Sequence, residues 1–354
     1  MTSRFRLFKP LQCVSDDMLN LDALRFLAAF GVIFFHACHH FDFGPSWNEG
    51  PARPLQACVD LFFVISGYVM GAVYFDRIGT PAQIGRFLKA RFWRLYPLHF
   101  TTFLASLLIG ILGARFSAHQ DDYDPRCIPA NLMLSQAWGG CSHITYNYVS
   151  WSVSAEMVMY ALFPIFVWAS LRSRAGVLAL ALATAVILQA TTWEELRPWY
   201  EWMTPWGAVR AFPSFLIGLS LWNYRGMIVR IRGSQSALWI LIAFFLLEIC
   251  EGARSFLLPT VWSIALFACA SDLNKGADCA MRFLSPLGSL TYASYMIHNL
   301  VLIVFATILS EHLLHAHGTS KNLIVAAAMV LALVLAWPVE NLFDEIKRIA
   351  LRRF

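Results

Sequence analysis

The sequence predicts an all-α fold, a polytopic membrane helix bundle of about ten transmembrane helices. The 354-residue chain is 58% hydrophobic and 15% aromatic, and its mean hydropathy is +0.57. Only 14% of its residues are charged, whereas a soluble domain carries about 25%. The apolar residues also gather into runs that are long enough to cross about 30 Å of hydrocarbon. Together these observations indicate a multi-pass membrane protein.

The apolar runs give the expected helices in order along the chain. The first run begins near residue 21 and is too long for the apolar core of a cleavable signal peptide, so we expect it to stay as a helix. Two later runs are short, and the one at 256–271 is alternatively a re-entrant segment, so about nine to eleven spans are compatible with the pattern. The predicted spans are 21–39, 58–76, 95–114, 148–170, 175–191, 206–223, 236–251, 256–271, 286–309 and 322–339.

The basic residues between these runs predict the orientation of the bundle. Most of the 27 Lys and Arg residues fall on one side of the membrane when the N-terminus is cytoplasmic. The positive-inside rule therefore places both termini in the cytoplasm. We expect one membrane domain over 1–354, with short tails at about 1–20 and 341–354 and no appended soluble domain.

Several functional classes find no support in the composition. The basic residues are not interleaved with aromatic residues as on a nucleic-acid surface, so we expect no nucleic-acid partner. The eight cysteines show no C-x-x-C motif and no Cys/His spacing, so we expect no metal site. Cys127 and Cys141 flank a polar loop, and whether they form a disulfide depends on the compartment that the loop faces.

The first predicted helix contains two ionisable residues eleven positions apart, Arg25 and His36. At 3.6 residues per turn they share one face and lie roughly 16 Å apart along the axis. Ionisable groups at membrane depth are costly and usually functional. The alternative is that His36 is a core imidazole bonded to another helix while Arg25 extends to lipid phosphates. The residues alone leave both interpretations open.

Three further polar side chains lie within later apolar runs: Ser66, Glu156 and His298. A carboxylate at membrane depth must be paired, hydrogen-bonded or neutral, so Glu156 is a functional candidate that is suited to orient a histidine. Ser66 precedes Gly67, and with Gly71 this segment is also explained by close helix packing. His298 is either a ligand contact or a satisfied contact between helices.

Arg91 and Arg94 lie three residues apart in the basic stretch before the third predicted span. One interpretation is a juxtamembrane cluster that holds anionic membrane lipids. The other is that the paired guanidinium groups bind the phosphates of a nucleotide-bearing donor, for which arginine is preferred over lysine.

These segments together resemble the acyltransferase 3 family of membrane proteins, which modify cell-surface glycans. Five loose motifs occur in the family's order between residues 21 and 300. A mild departure is the WSVSAEM segment, in which relatives often have Leu or Phe, and it leaves the glutamate in place. The motifs are Arg-x10-His (Arg25, His36), FFxxSGY (Phe62, Phe63, Ser66, Gly67, Tyr68), RxxR (Arg91, Arg94), W-S-x-x-x-E (Trp151, Ser152, Glu156) and S-Y-x-x-H (Ser294, Tyr295, His298).

The resemblance implies an O-acyltransferase of the bacterial inner membrane that uses a cytoplasmic acyl-CoA, most often acetyl-CoA, as co-substrate. The acceptor would be a hydroxyl of a cell-surface or lipid-linked saccharide. Some relatives append a domain that completes transfer, so separate glycan-assembly proteins are candidate partners here. The acceptor glycan, the acyl length, the position acylated, the choice between direct transfer and an acyl-enzyme, and the oligomeric state stay open.

The donor and the catalytic groups are expected on the same path across the membrane. Arg25, Arg91 and Arg94 would bind the CoA phosphates, and the pantetheine arm would bring the thioester to His36. Its length of about 15 to 20 Å is on the scale of the rise from Arg25 to His36.

His36 would then act as the general base on the acceptor hydroxyl or accept the acyl group itself. Glu156 would orient His36 or balance its charge. Ser66, Tyr292 and His298 are candidates for oxyanion or acceptor contacts.

Two alternatives belong to other functional classes. A proton-coupled transporter of a glycan or small molecule would use His36, Glu156 and His298 to relay protons. A non-catalytic scaffold would bind lipid through its basic face and would tolerate loss of His36 and Glu156.

Overall fold

Within the residues that it describes, the computed structural model consists of helices joined by turns and loops and contains no strand, which confirms the all-α fold class. The described residues are 8, 10–11, 17–42, 52–113, 123–192, 198–251 and 256–352. The ten long helices within these ranges, numbered in chain order, are α1 (Leu19–Cys38), α2 (Cys58–Tyr74), α3 (Pro81–Gly113), α4 (Trp151–Arg172), α5 (Arg174–Thr191), α6 (Gly207–Asn223), α7 (Ser234–Glu251), α8 (Leu257–Leu273), α9 (Thr291–Leu302) and α10 (Gly318–Arg352).

Every predicted apolar run corresponds to one of these helices. Eight helical segments among the described residues are long and apolar enough to cross a membrane, and α6 and α8 are not among them. Each of these two has 17 residues, which at 1.5 Å per residue gives a rod of roughly 26 Å. The protein is therefore a multi-pass membrane protein, and the total of ten spans stays a prediction.

The chain divides into two compact units. The terminal unit is formed by Met1–Cys58 and Gly233–Phe354, and the central unit by Val59–Arg232. The terminal unit thus contains α1 and α7 to α10, and the central unit contains α2 to α6. The prediction of a single membrane domain remains a prediction.

In the terminal unit α1 packs against α8, α9 and α10, and α7 packs against α8. Small and aliphatic side chains of α1, α9, α10 and the segment that follows α9 fill one buried cluster, in which Ile33, Ala306 and Val325 are fully buried. The first turn of α1 is capped from α8, because the Asp272 carboxylate accepts hydrogen bonds from the backbone N–H groups of Asn20 (2.8 Å) and Leu21 (3.1 Å).

In the central unit α2 and α6 approach each other backbone to backbone. A Cβ atom placed on Gly67 would lie 2.0 Å from the carbonyl oxygen of Phe215, and one on Gly218 would lie 1.9 Å from that of Val64. Only glycine permits this contact, so the packing role predicted for Gly67 is confirmed. This close approach also fixes the position of Ser66, the residue before Gly67, relative to α6.

Helix α3 begins 14 residues before the predicted third span. Thr80 and Gln83 form a capping box, because the Gln83 N–H donates to Thr80 Oγ1 (3.3 Å) and the Thr80 N–H donates to Gln83 Oε1 (3.0 Å). The resulting helix has 33 residues and is roughly 50 Å long, more than a membrane crossing needs. Arg91 and Arg94 therefore lie on the same helix as the span.

Two other ends differ from the predicted boundaries. The ninth run is a 3₁₀ turn at Ser285–Leu290, then α9, then a π-helical segment at Ile303–Leu313. The tail predicted at 341–354 is a continuation of α10 through Arg352. Most of the tail predicted at 1–20 lies outside the described residues.

The loop between α3 and α4 contains a disulfide between Cys127 and Cys141, whose Cα atoms are 5.4 Å apart. The bonded pair belongs to a buried cluster with Phe103 of α3. Beside it, hydrogen bonds from Arg126 lower the pKa of the Asp124 carboxyl. The pairing left open by the sequence is therefore present in the structure.

Candidate active site

The terminal unit joins the histidine of α1 to the histidine of α9. His36 Nδ1 lies 2.8 Å from His298 Nε2, and the two ring planes are 11° apart. The ring centroids are 5.1 Å apart, much farther than the two nitrogens, which are 2.8 Å apart. The rings therefore meet edge to edge and not face to face. His298 is fully buried and His36 is half-buried.

The contacts of His298 define the direction of this hydrogen bond. His298 Nδ1 lies 2.6 Å from the carbonyl oxygen of Tyr295 and 3.3 Å from that of Ser294. A carbonyl only accepts, so Nδ1 of His298 carries the hydrogen, and in the neutral ring Nε2 is the acceptor. His36 then donates through Nδ1, and its own Nε2 carries the lone pair. This lone pair is the basic one that proton abstraction needs.

Two other predicted residues lie in the terminal unit. The Arg25 guanidinium is 3.7 Å from the carboxylate of Asp22, its neighbour three residues earlier, so phosphate binding at Arg25 would compete with this ion pair. Tyr292 is half-buried in the first turn of α9, and its oxyanion role stays a prediction.

The central unit brings Ser66 and Glu156 together. Ser66 Oγ of α2 donates to Glu156 Oε1 of α4 over 2.7 Å, and the Tyr160 hydroxyl, one turn later on α4, donates to the same oxygen over 2.5 Å. Ser66 is buried, and its oxygen lies 3.1 Å from that of Tyr160. The Glu156 carboxylate is thus hydrogen-bonded, as its depth requires. The Ser66 hydrogen is directed at Glu156, whereas an oxyanion contact would need it elsewhere.

Arg91 faces aromatic side chains of the central unit. It donates to the Tyr74 hydroxyl over 2.9 Å, and its guanidinium carbon lies 5.0 Å from the Tyr74 ring centroid and 5.9 Å from that of Tyr160. Its Nε–H is shielded from solvent and has no hydrogen-bond acceptor among the described residues. Arg94 is half-buried three residues later. Arg91 is therefore linked through Tyr160 to the Glu156 group.

A buried ion pair in the central unit was missed by the sequence reasoning. Arg210 of α6 donates from Nη2 (2.7 Å) and Nε (3.3 Å) to Asp60 Oδ2 of α2, and both side chains are buried. The Arg210 guanidinium also lies 5.0 Å from the ring centroid of Trp151. One signal for the pair was present: an acid and a base in different apolar runs must find a partner of opposite charge.

Residues 18–340 match the family model for the acyltransferase domain of the acyltransferase 3 family. The chain belongs to this family. A relative from Streptomyces mycarofaciens, acyltransferase MdmB, is 23% identical over 314 residues, which are 80% of this chain and 78% of MdmB. BcsY of Komagataeibacter xylinus, whose name describes a membrane-bound transacylase, is 26% identical over 342 residues, 89% of this chain and 80% of BcsY. No solved structure matches the chain.

A third relative is similar over a shorter stretch. Protein 2 in the picA locus of Rhizobium radiobacter is 39% identical over 90 residues, which are 25% of this chain and 43% of that protein. The family match and the names of the two longer relatives establish the chain as a membrane acyltransferase, which favours the enzyme over the transporter and the scaffold.

In this acyltransferase the family motifs contact each other in pairs. Phe63 of the second-helix motif lies against Trp151 of the W-S-x-x-x-E motif, with ring centroids 6.2 Å apart, and Ser66 bonds Glu156 of the same two motifs. The first-helix and late motifs meet through His36 and His298. The two pairs lie in different units, so orientation of His36 by Glu156 stays a prediction.

Proposed function

We propose that this acyltransferase transfers an acyl group, most simply acetyl, from acyl-CoA to a hydroxyl of a cell-surface or lipid-linked saccharide. His36 is the general base. The observation that carries the proposal is the hydrogen bond between His36 and His298, which leaves the His36 Nε2 lone pair as a base within a membrane helix. A neutral imidazole has one basic nitrogen, so it is able to accept a proton and return it within one catalytic cycle.

The proton and the acyl group are accounted for in one transfer. His36 Nε2 takes the hydrogen of the acceptor hydroxyl while its oxygen attacks the thioester carbonyl carbon. The carbon–sulfur bond then breaks, and the departing CoA thiolate takes the proton from the His36 imidazolium. The products are the saccharide ester and CoA, and His36 returns to its starting state.

The disulfide supports a cytoplasmic N-terminus for this proposal. Disulfides persist in oxidising compartments, so the loop that contains Cys127 and Cys141 belongs on the extracytoplasmic side. Because α1, α2 and α3 each qualify as a span, this loop lies opposite the N-terminus. With the N-terminus in the cytoplasm, as we propose, the final residue of α2, Tyr74, would lie at the cytoplasmic side of the membrane.

Arg91 bonds to Tyr74 and therefore lies near the compartment that supplies acyl-CoA. Its shielded Nε–H has no acceptor among the described residues, and a phosphate or thioester oxygen would provide one. We assign donor binding to Arg91 and Arg94 of the central unit. A role of Arg25 in donor binding, in which a phosphate would compete with Asp22, stays a prediction. Glu156 balances the positive charge of this region through Tyr160.

The test is acceptor-dependent CoA release by the detergent-purified protein, with acetyl-CoA as donor and a crude glycan extract of the host as acceptor. His36→Ala should lower turnover by about 10²- to 10⁴-fold, because general-base catalysis is lost. The matched control is His39→Ala, which removes an exposed histidine near the same end of α1 and should leave the turnover unchanged.

Donor binding is measured separately, by equilibrium binding of labelled acetyl-CoA. Arg91→Ala/Arg94→Ala should weaken binding, whereas Arg86→Ala, an exposed arginine on the same helix, should not. Unchanged turnover in His36→Ala would remove His36 from the mechanism. A wild-type protein that neither binds acetyl-CoA nor releases CoA would contradict the proposed donor.

A further inference from the structure

We infer that His298 is a positioning residue that holds His36 in the tautomer with the lone pair on Nε2. The inference rests on the proposed function, because it assigns the way in which the base of that reaction is prepared. Three observations carry it: the contact between the two imidazoles, the two backbone carbonyls on the far side of His298, and the complete burial of His298.

The hydrogen bonds around His298 have one consistent direction. The carbonyl oxygens of Tyr295 and Ser294 fix the hydrogen of His298 on Nδ1. Burial of a charged ring in this surrounding is costly, which favours the neutral form with an acceptor at Nε2. His36 is therefore held with its hydrogen on Nδ1.

The contact between the His36 and His298 rings has the geometry of a directional hydrogen bond. The nearly parallel planes and the edge-to-edge contact put the His298 lone pair in line with the His36 N–H. In a catalytic triad a carboxylate performs this task, and loss of the correct tautomer there lowers turnover strongly. Here a neutral imidazole that is itself held by a backbone carbonyl takes that position.

His298 also contacts His36 when His36 is charged during the catalytic cycle. His36 Nε2 takes the proton of the saccharide hydroxyl, and its ring then becomes an imidazolium. The hydrogen bond from its Nδ1–H to His298 is then charge-assisted and therefore stronger. His298 therefore stabilises the transition state more than the resting state, which is the requirement for catalysis. No carboxylate bonds to His298 within the described residues, so its ring acts as a neutral acceptor.

Two amide substitutions separate positioning from packing. In His298→Gln the side-chain oxygen is able to occupy the place of Nε2 and accept the His36 N–H. In His298→Asn the side chain is one methylene shorter and reaches only the place of Nδ1. Both variants remove the same buried ring, so a purely structural role predicts equal losses for the two.

We expect His298→Asn to lower kcat by about 10²- to 10⁴-fold with an unchanged KM for acetyl-CoA, and His298→Gln to stay within about tenfold of wild type. His312→Asn, the same change at an exposed histidine of the segment that follows α9, is the control. The assay is acceptor-dependent CoA release from acetyl-CoA with the host glycan extract, measured across pH. Thermal unfolding of each variant is measured alongside.

The outcomes separate this inference from the proposed function. A wild-type protein without acceptor-dependent CoA release overturns the proposed function. An active wild type with an inactive His36→Ala and a fully active His298→Asn leaves the base in place and overturns only the role of His298. Equal kcat values for the Gln and Asn variants also overturn it, whereas a loss confined to Asn with normal unfolding of both supports it.

Discussion

Removal of one partner from the buried ion pair of the central unit should destabilise the protein far more than removal of both. In Arg210→Met the Asp60 carboxylate loses its cationic partner while it stays buried between α2 and α6. In Asp60→Leu the Arg210 guanidinium is left in the same position. The double variant replaces both charges with apolar side chains.

The magnitude follows from the burial of the two side chains, which are 1% and 0% exposed. Breaking a buried pair on one side costs about 3 to 5 kcal/mol, because an uncompensated charge remains. Arg210→Met also loses the contact with the Trp151 ring, worth about 0.5 to 2 kcal/mol. At about 2 to 4 °C per kcal/mol, Asp60→Leu should unfold roughly 6 to 20 °C below wild type and Arg210→Met roughly 7 to 28 °C below it. The double variant should lie well above either single variant.

Thermal unfolding in detergent, followed by intrinsic fluorescence of the 13 tryptophans, measures this series. Arg230→Met is the control, because Arg230 is exposed in the same unit. Single variants within 2 °C of wild type (about 1 kcal/mol or less), or a double variant whose loss equals the sum of the two, would refute the reasoning.

Two further predictions concern packing and the loop. Gly218→Ala should destabilise the central unit, because its Cβ would overlap the backbone of α2. The control is Gly85→Ala, whose Cβ meets no atom within 4 Å, so it should be neutral or stabilising by about 0.5 to 1 kcal/mol. Equal unfolding midpoints for the two variants would contradict the close contact. Cys127→Ser/Cys141→Ser should lower stability by about 3 kcal/mol, since the bond closes a loop of 14 residues, and unfolding with and without reductant checks this.

The helices were predictable because each apolar run is a local property of the chain. Their boundaries were less so: the capping box at Thr80 and Gln83 precedes a charged turn, so composition alone starts α3 too late. The predicted site residues were recognisable as polar groups at membrane depth. Their partners were not, because pairing is a property of the fold.

Two contacts between residues far apart in the sequence were not predictable from the sequence. His36 and His298 were both singled out, yet 262 positions separate them, and only packing of α1 against α9 shows that they share a hydrogen bond. Asp60 and Arg210 occurred in different apolar runs, and charge balance was the only hint that they meet.

The separation of Asp60 and Arg210 also has a consequence for biosynthesis. Their positions differ by 150 residues, which at about 5 to 20 residues per second corresponds to a delay of about 8 to 30 s. Throughout that interval the Asp60 carboxylate of α2 has no arginine partner, because Arg210 has not yet been made. Asp60 lies near the first residue of α2, which is close enough to the helix end for the carboxylate to stay hydrated. The buried ion pair between α2 and α6 therefore forms only after Arg210 has been synthesised.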